Sequence, residues 1–286
     1  VRKRLSPYGK DDIRYVQSID EEIEMYSSVK VEDIRSLHAD FLSNQAIEIS
    51  AVGDFESDEL KSMLKTELSD WDSSIKYARV DRDPRPDIKG STDLIETPDK
   101  ANAFLYSSQQ YALSDSDADY ASLVLGNFIL GGGSLSSRLG ERVRQQEGLS
   151  YGVRSGVSAR AKDKRVDFTL YAITNPGNKD RLVEVLREEI DRIRDEGITQ
   201  KELDESKTAY LQAARVRRSK DSELAGELSG TMFLERTMQH HADHEKHIEA
   251  ATVDSVNAAI KKYIDPDKLV MAIAGDFASV ADKTEE

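Results

Sequence analysis

The stretch VDSVNAAIKKYIDPDKLVMAIAGDF (Val253–Phe277) contains a helix pattern followed by a strand pattern. A second stretch, VEDIRSLHADFLSNQAIEISAVGDF (Val31–Phe55), aligns with it without a gap, 222 residues earlier in the chain. The first residue and the closing Gly-Asp-Phe are identical, and most apolar positions between them coincide. Each copy predicts a short helix, a turn, a buried strand and a Gly-Asp-Phe exit. The shared change of apolar period from helix to strand indicates an internal duplication.

The offset between the two copies predicts the domain organisation. Residues 99–286 are interpreted as a nearly complete second unit, and residues 1–75 as the C-terminal third of a truncated first unit. Residues 76–98 are interpreted as a linker, because they are rich in proline and show little periodicity. The missing elements of the first unit would then lie upstream of Val1, so we expect the chain to be a piece of a longer protein. In the alternative, two different small domains share a helix–strand ending by chance.

The second unit alternates strand and helix patterns without regular βαβ order, which predicts an α+β fold. We expect helices layered on one face of a mostly antiparallel mixed sheet. The elements behind this prediction are a strand over 101–112, a helix over 117–130, a hairpin of Ser150–Ser158 with Arg165–Thr174, a helix over Lys179–Glu196, and a capping box at Thr199–Glu202.

The composition excludes several classes of partner. The net charge of −14 over 286 residues argues against nucleic acid or anionic lipid as the main partner. No apolar run approaches the ~18 residues of a membrane segment. The absence of cysteine excludes disulfides, thiolate metal sites and a cysteine nucleophile.

Four of the five histidines lie within eight residues, from His240 to His247. A zinc-binding helix needs the pattern His-Glu-x-x-His or its inverse, His-x-x-Glu-His. His244-Glu245-Lys246-His247 is one residue short of the first pattern, and no register gives the second. His240 and His244 do share a helical face, but a solvated, histidine-rich start of a helix is favoured over a metal site.

The segment LGGGSLSSRLGERVRQQEGLSY (Leu130–Tyr151) contains two candidate donors. Arg144 ends a short helical run, and Tyr151 follows seven residues later at the start of a strand pattern. Glu147-Gly148-Leu149 can turn the chain between them, so both polar tips could reach one cleft. A guanidinium and a phenol are good donors for a carbonyl oxygen that gains negative charge. The structural alternative is a helix-end cation and a tyrosine half in the core.

Three glycines, Gly131, Gly132 and Gly133, precede this candidate pair. A phosphate-binding loop would need a closing Gly-Lys-Ser/Thr, and a dinucleotide loop would need a preceding strand and a spaced third glycine. Neither is present, and a helix pattern precedes the glycines. A hinge or a helix break is therefore favoured.

Leu130–Tyr151, with its three glycines and its Gly148-Leu149-Ser150-Tyr151 ending, closely resembles the C-terminal, non-zinc half of pitrilysin/insulinase-type zinc metallopeptidases. The resemblance extends over nearly the whole chain and includes Ser6–Gly9, Glu96–Asn102 and both Gly-Asp-Phe ends. It is strongest to bacterial two-half members with four homologous α+β domains. On this resemblance the chain is the end of the third domain plus the fourth.

The resemblance implies how the chemistry is divided. The family's zinc and general base belong to an inverse His-x-x-Glu-His motif in the first domain, and no position here matches it. Zinc is therefore expected outside this chain, in a zinc-bearing N-terminal half that is its main partner, and no catalytic residue is expected within it. The C-terminal half closes over peptide substrates. The family's arginine and tyrosine, which bind the scissile carbonyl, map onto Arg144 and Tyr151, and its glycine-rich chamber loop or hinge maps onto Gly131–Gly133.

Two functions remain open at this point. In the first, the complete protein is a zinc metalloendopeptidase and this chain alone is inactive. In the second, the chain belongs to a non-catalytic partner subunit or to a scaffold module of the same fold. The resemblance to long bacterial members implies the periplasm or cell envelope as the compartment.

Overall fold

The computed structural model describes residues 1–133 and 136–279. The strands are β1 (Ser91–Glu96), β2 (Ala103–Ala112), β3 (Ser150–Arg160), β4 (Arg165–Thr174) and β5 (Val270–Gly275). The α-helices are α1 (Arg2–Leu5), α2 (Ile19–Ser28), α3 (Val31–Phe41), α4 (Ser57–Leu68), α5 (Ala118–Asn127), α6 (Lys179–Glu196), α7 (Gln200–Arg218), α8 (Asp221–Phe233), α9 (Gln239–Ala250) and α10 (Val253–Tyr263).

These elements divide into two units. The larger unit contains Val1–Pro7, Arg82–Ala213 and the chain from His241 onward, and the smaller contains Tyr8–Asp81 and Ala214–His240. The sequence predicts one continuous last domain over residues 99–286. Residues 214–240 depart from that prediction, because they pack within the smaller unit, where the Ser50 hydroxyl donates to the carbonyl of Ala225.

The larger unit contains a five-stranded sheet with the order β1-β5-β2-β4-β3. β1 and β5 are parallel, and the other three neighbouring pairs are antiparallel. β3 and β4 form the predicted hairpin around the turn Ala161–Asp163. The α+β prediction with a mostly antiparallel mixed sheet is confirmed.

Strand β1 corrects the interpretation of residues 76–98 as a linker. Residues 91–96 of that segment pair with β5, from Ser91 opposite Val270 to Glu96 opposite Gly275. β1 is an edge strand with one neighbour and mostly exposed or half-exposed side chains, so it lacks a strong apolar pattern. Its partner strand is distant in sequence, and local patterning cannot show such a pairing.

A helical layer packs on one face of this sheet. Helix α6 has the predicted bounds and buries the predicted stripe of Leu182, Val185, Leu186, Ile190 and Ile193. Below it, Leu105, Phe168 and Leu170 point from the sheet into the same core. The alternating residues of β2 and β4, such as Phe104 and Tyr171, point to the opposite face. No helix within the described part of the chain combines the length and apolar character needed to cross a membrane.

The smaller unit contains the first copy of the duplication. Helix α3 and the 3₁₀ turn Asn44–Ala46 coincide residue for residue with α10 and the 3₁₀ turn Pro266–Lys268, at the offset of 222 residues read from the sequence. The two copies therefore share the same local structure up to this turn.

Beyond the turn the two copies differ. The prediction of a buried strand after Ala46 is wrong: the backbone at Ile47 is extended, but residues 8–81 and 214–240 contain no strand. A strand needs a neighbour to satisfy its backbone donors and acceptors, and β5 has two whereas this segment has none within those residues.

The difference continues in the helices. Ile34 on α3 is 59% exposed, whereas its counterpart on α10, Val256, is 0% exposed. Phe41 is likewise exposed and Tyr263 is buried. The apolar face of α3 thus meets solvent where the same face of α10 forms core.

A matched pair of substitutions tests this contrast. Ile264→Ala removes a fully buried side chain and is expected to lower the free energy of unfolding by about 2–5 kcal/mol. Leu42→Ala, at the equivalent exposed position, is expected to cost less than about 1 kcal/mol. Thermal and denaturant unfolding of both variants measures the difference. Equal losses would show that the two copies are equally buried.

Candidate functional site

Arg144 lies in a π-helical turn, Gly140–Gln146, that follows the glycine-rich segment. The preceding residue, Val143, is fully buried and fixes the turn against the core. Arg144 is exposed, as its place in the last turn allows. Within the described residues, its guanidinium forms no hydrogen bond or ion pair and is available to a ligand.

A bend then brings the chain from this turn to β3. The Leu149 N–H donates to the carbonyl of Val143 at 2.9 Å, and the Glu147 N–H donates to that of Arg142 at 3.1 Å. Between them Gly148 has φ +62°, in the left-handed region that favours glycine. The predicted turn at Glu147-Gly148-Leu149 is therefore present.

Tyr151 occupies a β-bulge at the start of β3. Ser150 pairs with Thr174 and Gly152 pairs with Ile173, so Tyr151 is the extra residue without a partner on β4. The bulge directs its side chain into solvent, where it is 93% exposed. The alternative of a tyrosine half in the core is wrong. The phenol forms no hydrogen bond to any described residue.

Ion pairs hold the bend between these two donors. The Glu147 carboxylate accepts from Arg181 of α6 at 2.7 Å and lies 2.9 Å from Arg142. Arg181 also binds Glu184, one turn further along α6. The hydrogen bond from Arg181 is the main reason why the pKa of Glu147 is lowered. Half-exposed pairs of this kind each contribute little stability, but as a network they restrict the path of the bend.

Of the three glycines, Gly131 packs against β3, whereas Gly132 and Gly133 pack against Asn127 and Phe128 of the preceding turn. A Cβ atom on Gly131 would lie 2.5 Å from Oγ and 2.7 Å from the backbone nitrogen of Ser155. On Gly133 it would lie 2.8 Å from the carbonyl oxygen of Phe128. Close packing thus gives a structural reason for glycine here, and the hinge or chamber role implied by the resemblance stays a prediction.

Arg138, which follows the glycine segment, forms hydrogen bonds with helix α7 and with the residue that follows α6. Its Nε donates to Glu202 at 2.8 Å, and one Nη donates to the carbonyl of Gly197 at 2.8 Å. Glu202 is also the last residue of the predicted capping box, which is present: its N–H donates to the Thr199 hydroxyl, and its carboxylate accepts from the Thr199 N–H. Burial opposes ionisation of Glu202, but Arg138 and Thr199 outweigh it and lower its pKa to about 2.

The described residues contain no group of three histidine, cysteine or acidic side chains placed to hold a metal ion. The predicted histidine-rich helix is α9. The prediction that this cluster is solvated is wrong for His244, which packs against the rings of Tyr120 and Tyr210, with its Nε2 3.2 Å from the Tyr210 hydroxyl. His244 therefore has a packing role inside the larger unit.

Residues 28–210 match the family model described as the peptidase M16 inactive domain. The chain belongs to this family. The resemblance to the non-zinc half of zinc metallopeptidases, carried in the sequence by Leu130–Tyr151, is thereby confirmed.

Two M16-like relatives illustrate the range of names in this group. The chain is 24% identical to the "Non-peptidase homolog YmxG" of Helicobacter pylori over 257 residues, which are 88% of this chain and 57% of the relative. It is 38% identical to the "Uncharacterized zinc protease YmxG" of Bacillus subtilis over 88 residues, 31% of this chain and 20% of the relative. The chain thus spans little more than half of the first relative and a fifth of the second.

Solved structures support the same fold. The peptidase M16 inactive domain from Pseudomonas fluorescens superposes with a TM-score of 0.79 and 26% identity, over 96% of this chain and 63% of that one. A protease from Helicobacter pylori superposes with a TM-score of 0.70 and 13% identity, over 88% of this chain and 60% of that one. At that identity the second structure shows a shared fold only.

The close contact at Gly131 leads to a stability prediction. Gly131→Ala is expected to destabilise the larger unit by about 1–3 kcal/mol, because the added methyl overlaps the backbone of β3. Gly226→Ala in helix α8 is the matched control: no atom lies within 4 Å of the new Cβ, so it should be neutral or stabilise by up to about 1 kcal/mol. Denaturant unfolding measures both, and a harmless Gly131→Ala would contradict the packing argument.

Glu202 leads to a prediction for pH. Its folded-state pKa of about 2 is below its ordinary value of 4.5, so its contribution is complete above pH 4.5 and is lost as the pH falls towards 2. Glu202→Gln is expected to cost about 1 kcal/mol at pH 7, and less as the pH falls through this range. Thermal unfolding between pH 2 and pH 7 tests this. The exposed Glu249→Gln is the control, and a pH-independent cost for Glu202→Gln would contradict the assignment.

Proposed function

We propose that this chain is the substrate-binding, chamber-closing C-terminal part of a zinc metalloendopeptidase. In this proposal Arg144 and Tyr151 donate hydrogen bonds to the carbonyl oxygen of the scissile peptide. The observation that carries it is the state of these two side chains: both are exposed, both lack a partner among the described residues, and a braced bend separates them. Membership of the peptidase M16 family makes a peptide the expected ligand.

The residues of this chain would stabilise the charge on the scissile carbonyl oxygen and orient the bound peptide. A carbonyl oxygen becomes more negative as the peptide bond is attacked, and preformed donors stabilise that charge. Arg144 supplies a planar cationic fork and Tyr151 a neutral hydroxyl. The zinc of the N-terminal half would activate the attacking water. The glycine segment, in which Gly131 packs on β3, would form part of the wall that keeps bulk water from the peptide.

The partner in this proposal is the zinc-bearing N-terminal half of the same protein. The smaller unit supports the presence of further chain, because the apolar face of α3 is exposed whereas its copy on α10 is covered. In the larger unit that cover includes α5, where Gly126 allows Ile260 a very close approach. We propose that an equivalent sheet and helix, supplied from upstream, cover α3.

A second function is favoured by the name of one relative. The Helicobacter pylori protein, similar over 88% of this chain, is called a non-peptidase homolog. In that alternative the chain belongs to a partner subunit or scaffold that binds peptide without cleaving it. The reading frame upstream of Val1 discriminates between the two functions: His-x-x-Glu-His within the same frame supports the peptidase, whereas its absence supports the partner or scaffold.

The peptidase proposal predicts the effect of two substitutions in the complete protein. Arg144→Ala and Tyr151→Phe are each expected to lower the turnover of a cleaved peptide by about 10²–10³-fold, as the loss of one oxyanion donor does. Zinc content, measured by metal analysis, is expected to stay unchanged because neither residue binds the metal. Arg187→Ala is the control, because this half-buried arginine of α6 pairs with Asp267 and has no proposed role in cleavage.

Unchanged turnover in both variants would refute the roles of Arg144 and Tyr151. A complete protein that carries His-x-x-Glu-His and binds zinc, but cleaves none of a diverse set of peptides, would favour the partner function. A stoichiometric zinc site in this chain alone would contradict the proposed division between two halves.

A further inference from the structure

A polar cavity lies on the sheet face opposite the helical layer. It has a volume of about 480 Å³ and opens where α1 and the segment at Arg82 cross β2, β3 and β4. Arg160 at its wall is nine residues along β3 from Tyr151. The lining begins at Thr169, which pairs with Gly156, so at ~3.3 Å per residue the cavity spans roughly 17–30 Å along the strand from Tyr151. It is therefore separate from the proposed carbonyl site.

The cavity contains a buried cation. Only 8% of the Arg165 side chain is exposed. One of its Nη atoms donates to the carbonyl of Arg82 at 3.3 Å, and the guanidinium also lies 3.3 Å from the Asp167 carboxylate. Arg160 lies 3.4 Å from the same carboxylate oxygen. One carboxylate is thus shared between two guanidiniums, which leaves an excess of positive charge.

Two further arginines, Arg2 and Arg82, line the same cavity. Within residues 1–133 and 136–279, neither guanidinium forms an ion pair or a side-chain hydrogen bond. The cavity therefore has four guanidiniums and one carboxylate, in a protein with a net charge of −14. Arg165 is the buried member of this group and shares Asp167 with Arg160, whereas Arg82 is half-buried and Arg2 is exposed. The excess of guanidiniums over carboxylates therefore gives an anion that enters the cavity a favourable interaction with several donors.

The geometry points to a site for a carboxylate of a bound peptide. Guanidinium forks match carboxylates in two-point hydrogen bonds. The Tyr106 hydroxyl also lines the cavity as a neutral donor. The same sheet face carries the stacked rings of Phe104 and Tyr171, with centroids 6.4 Å apart, beside the exposed Ile173. Apolar and aromatic side chains next to a cationic cavity favour a peptide over a small inorganic anion.

This inference rests on the proposed function in one respect, which is that the ligand is a peptide substrate. Its carboxylate can come from an aspartate or glutamate side chain or from the peptide C-terminus. Either source, anchored here, would help to determine which peptides are held across the roughly 17–30 Å between the cavity and Tyr151. The protein would then prefer acidic peptides despite its own negative charge.

Calorimetric titration of the 286-residue chain with three matched peptides tests the inference. The first carries two glutamates and an amidated C-terminus, the second has glutamines in their place, and the third is the glutamine peptide with a free C-terminal carboxylate. The glutamate peptide, the free-carboxylate peptide, or both are expected to bind about 10-fold more tightly than the neutral peptide. Whichever binds more tightly identifies the source of the carboxylate.

Variants of the charged residues that line the cavity test whether the carboxylate preference arises there. Arg160→Gln and Arg82→Gln are each expected to weaken carboxylate binding about 5–10-fold and to leave the neutral peptide unaffected. Asp167→Asn, which removes the competing carboxylate, is expected to strengthen the binding of the carboxylate peptide. Arg187→Gln on α6 is the matched control and should change nothing. Arg160 is exposed, and unchanged thermal unfolding of its variant would separate lost binding from lost folding.

Equal binding of all three peptides would overturn the inference, as would an Arg160→Gln variant with unchanged preference. Failure of this inference can be distinguished from failure of the proposed function. If Arg160→Gln loses the carboxylate preference while Arg144→Ala and Tyr151→Phe both cleave at full rate, the cavity is supported and the carbonyl site is refuted. If Arg160→Gln keeps the carboxylate preference while Arg144→Ala and Tyr151→Phe lose cleavage, the carbonyl site is supported and the carboxylate site is refuted.

Discussion

No Cβ atom fits between Gly131 and the backbone of Ser155, and this close approach determines the path of the chain through the candidate site. Because the glycine segment lies directly on β3, the following π-helical turn starts against the same hairpin, with Val143 buried beneath it. The chain then returns to the start of β3 through a bend of only three residues. Arg144 precedes that bend and Tyr151 follows it, so the positions of the two proposed donors depend on this packing contact together with the ion pairs that hold the bend.

Local signals in the sequence predicted much of the larger unit. Helix α6 has the expected bounds because its apolar stripe and the following Gly197 are both encoded locally. The hairpin and the Thr199 capping box are short-range features of the same kind. The duplication predicted the matching bounds of α3 and α10. The sequence also identified the bend before Tyr151, because Gly148 marks a turn that other residues adopt less readily.

The features that escaped prediction depend on distant residues. Strand β1 exists only because β5 lies beside it, and the expected strand after Ala46 is absent because no described strand of its unit lies beside it. The bulge that exposes Tyr151 is a property of the pairing of β3 with β4. The arginine cavity combines α1, the segment at residue 82 and three strands, so no single motif could reveal it. The sequence supplied these residues but not their proximity.

In the proposed function, this chain is a wall that holds a peptide and presents two donors to it, and the metal chemistry would belong to another part of the protein. The most direct test is a crystal structure of the complete protein, made inactive at its zinc site and bound to an uncleaved peptide. The account predicts the guanidinium of Arg144 and the hydroxyl of Tyr151 within about 2.6–3.2 Å of one peptide carbonyl oxygen. A bound peptide that touches neither side chain, or that meets them at two unrelated places, would contradict it.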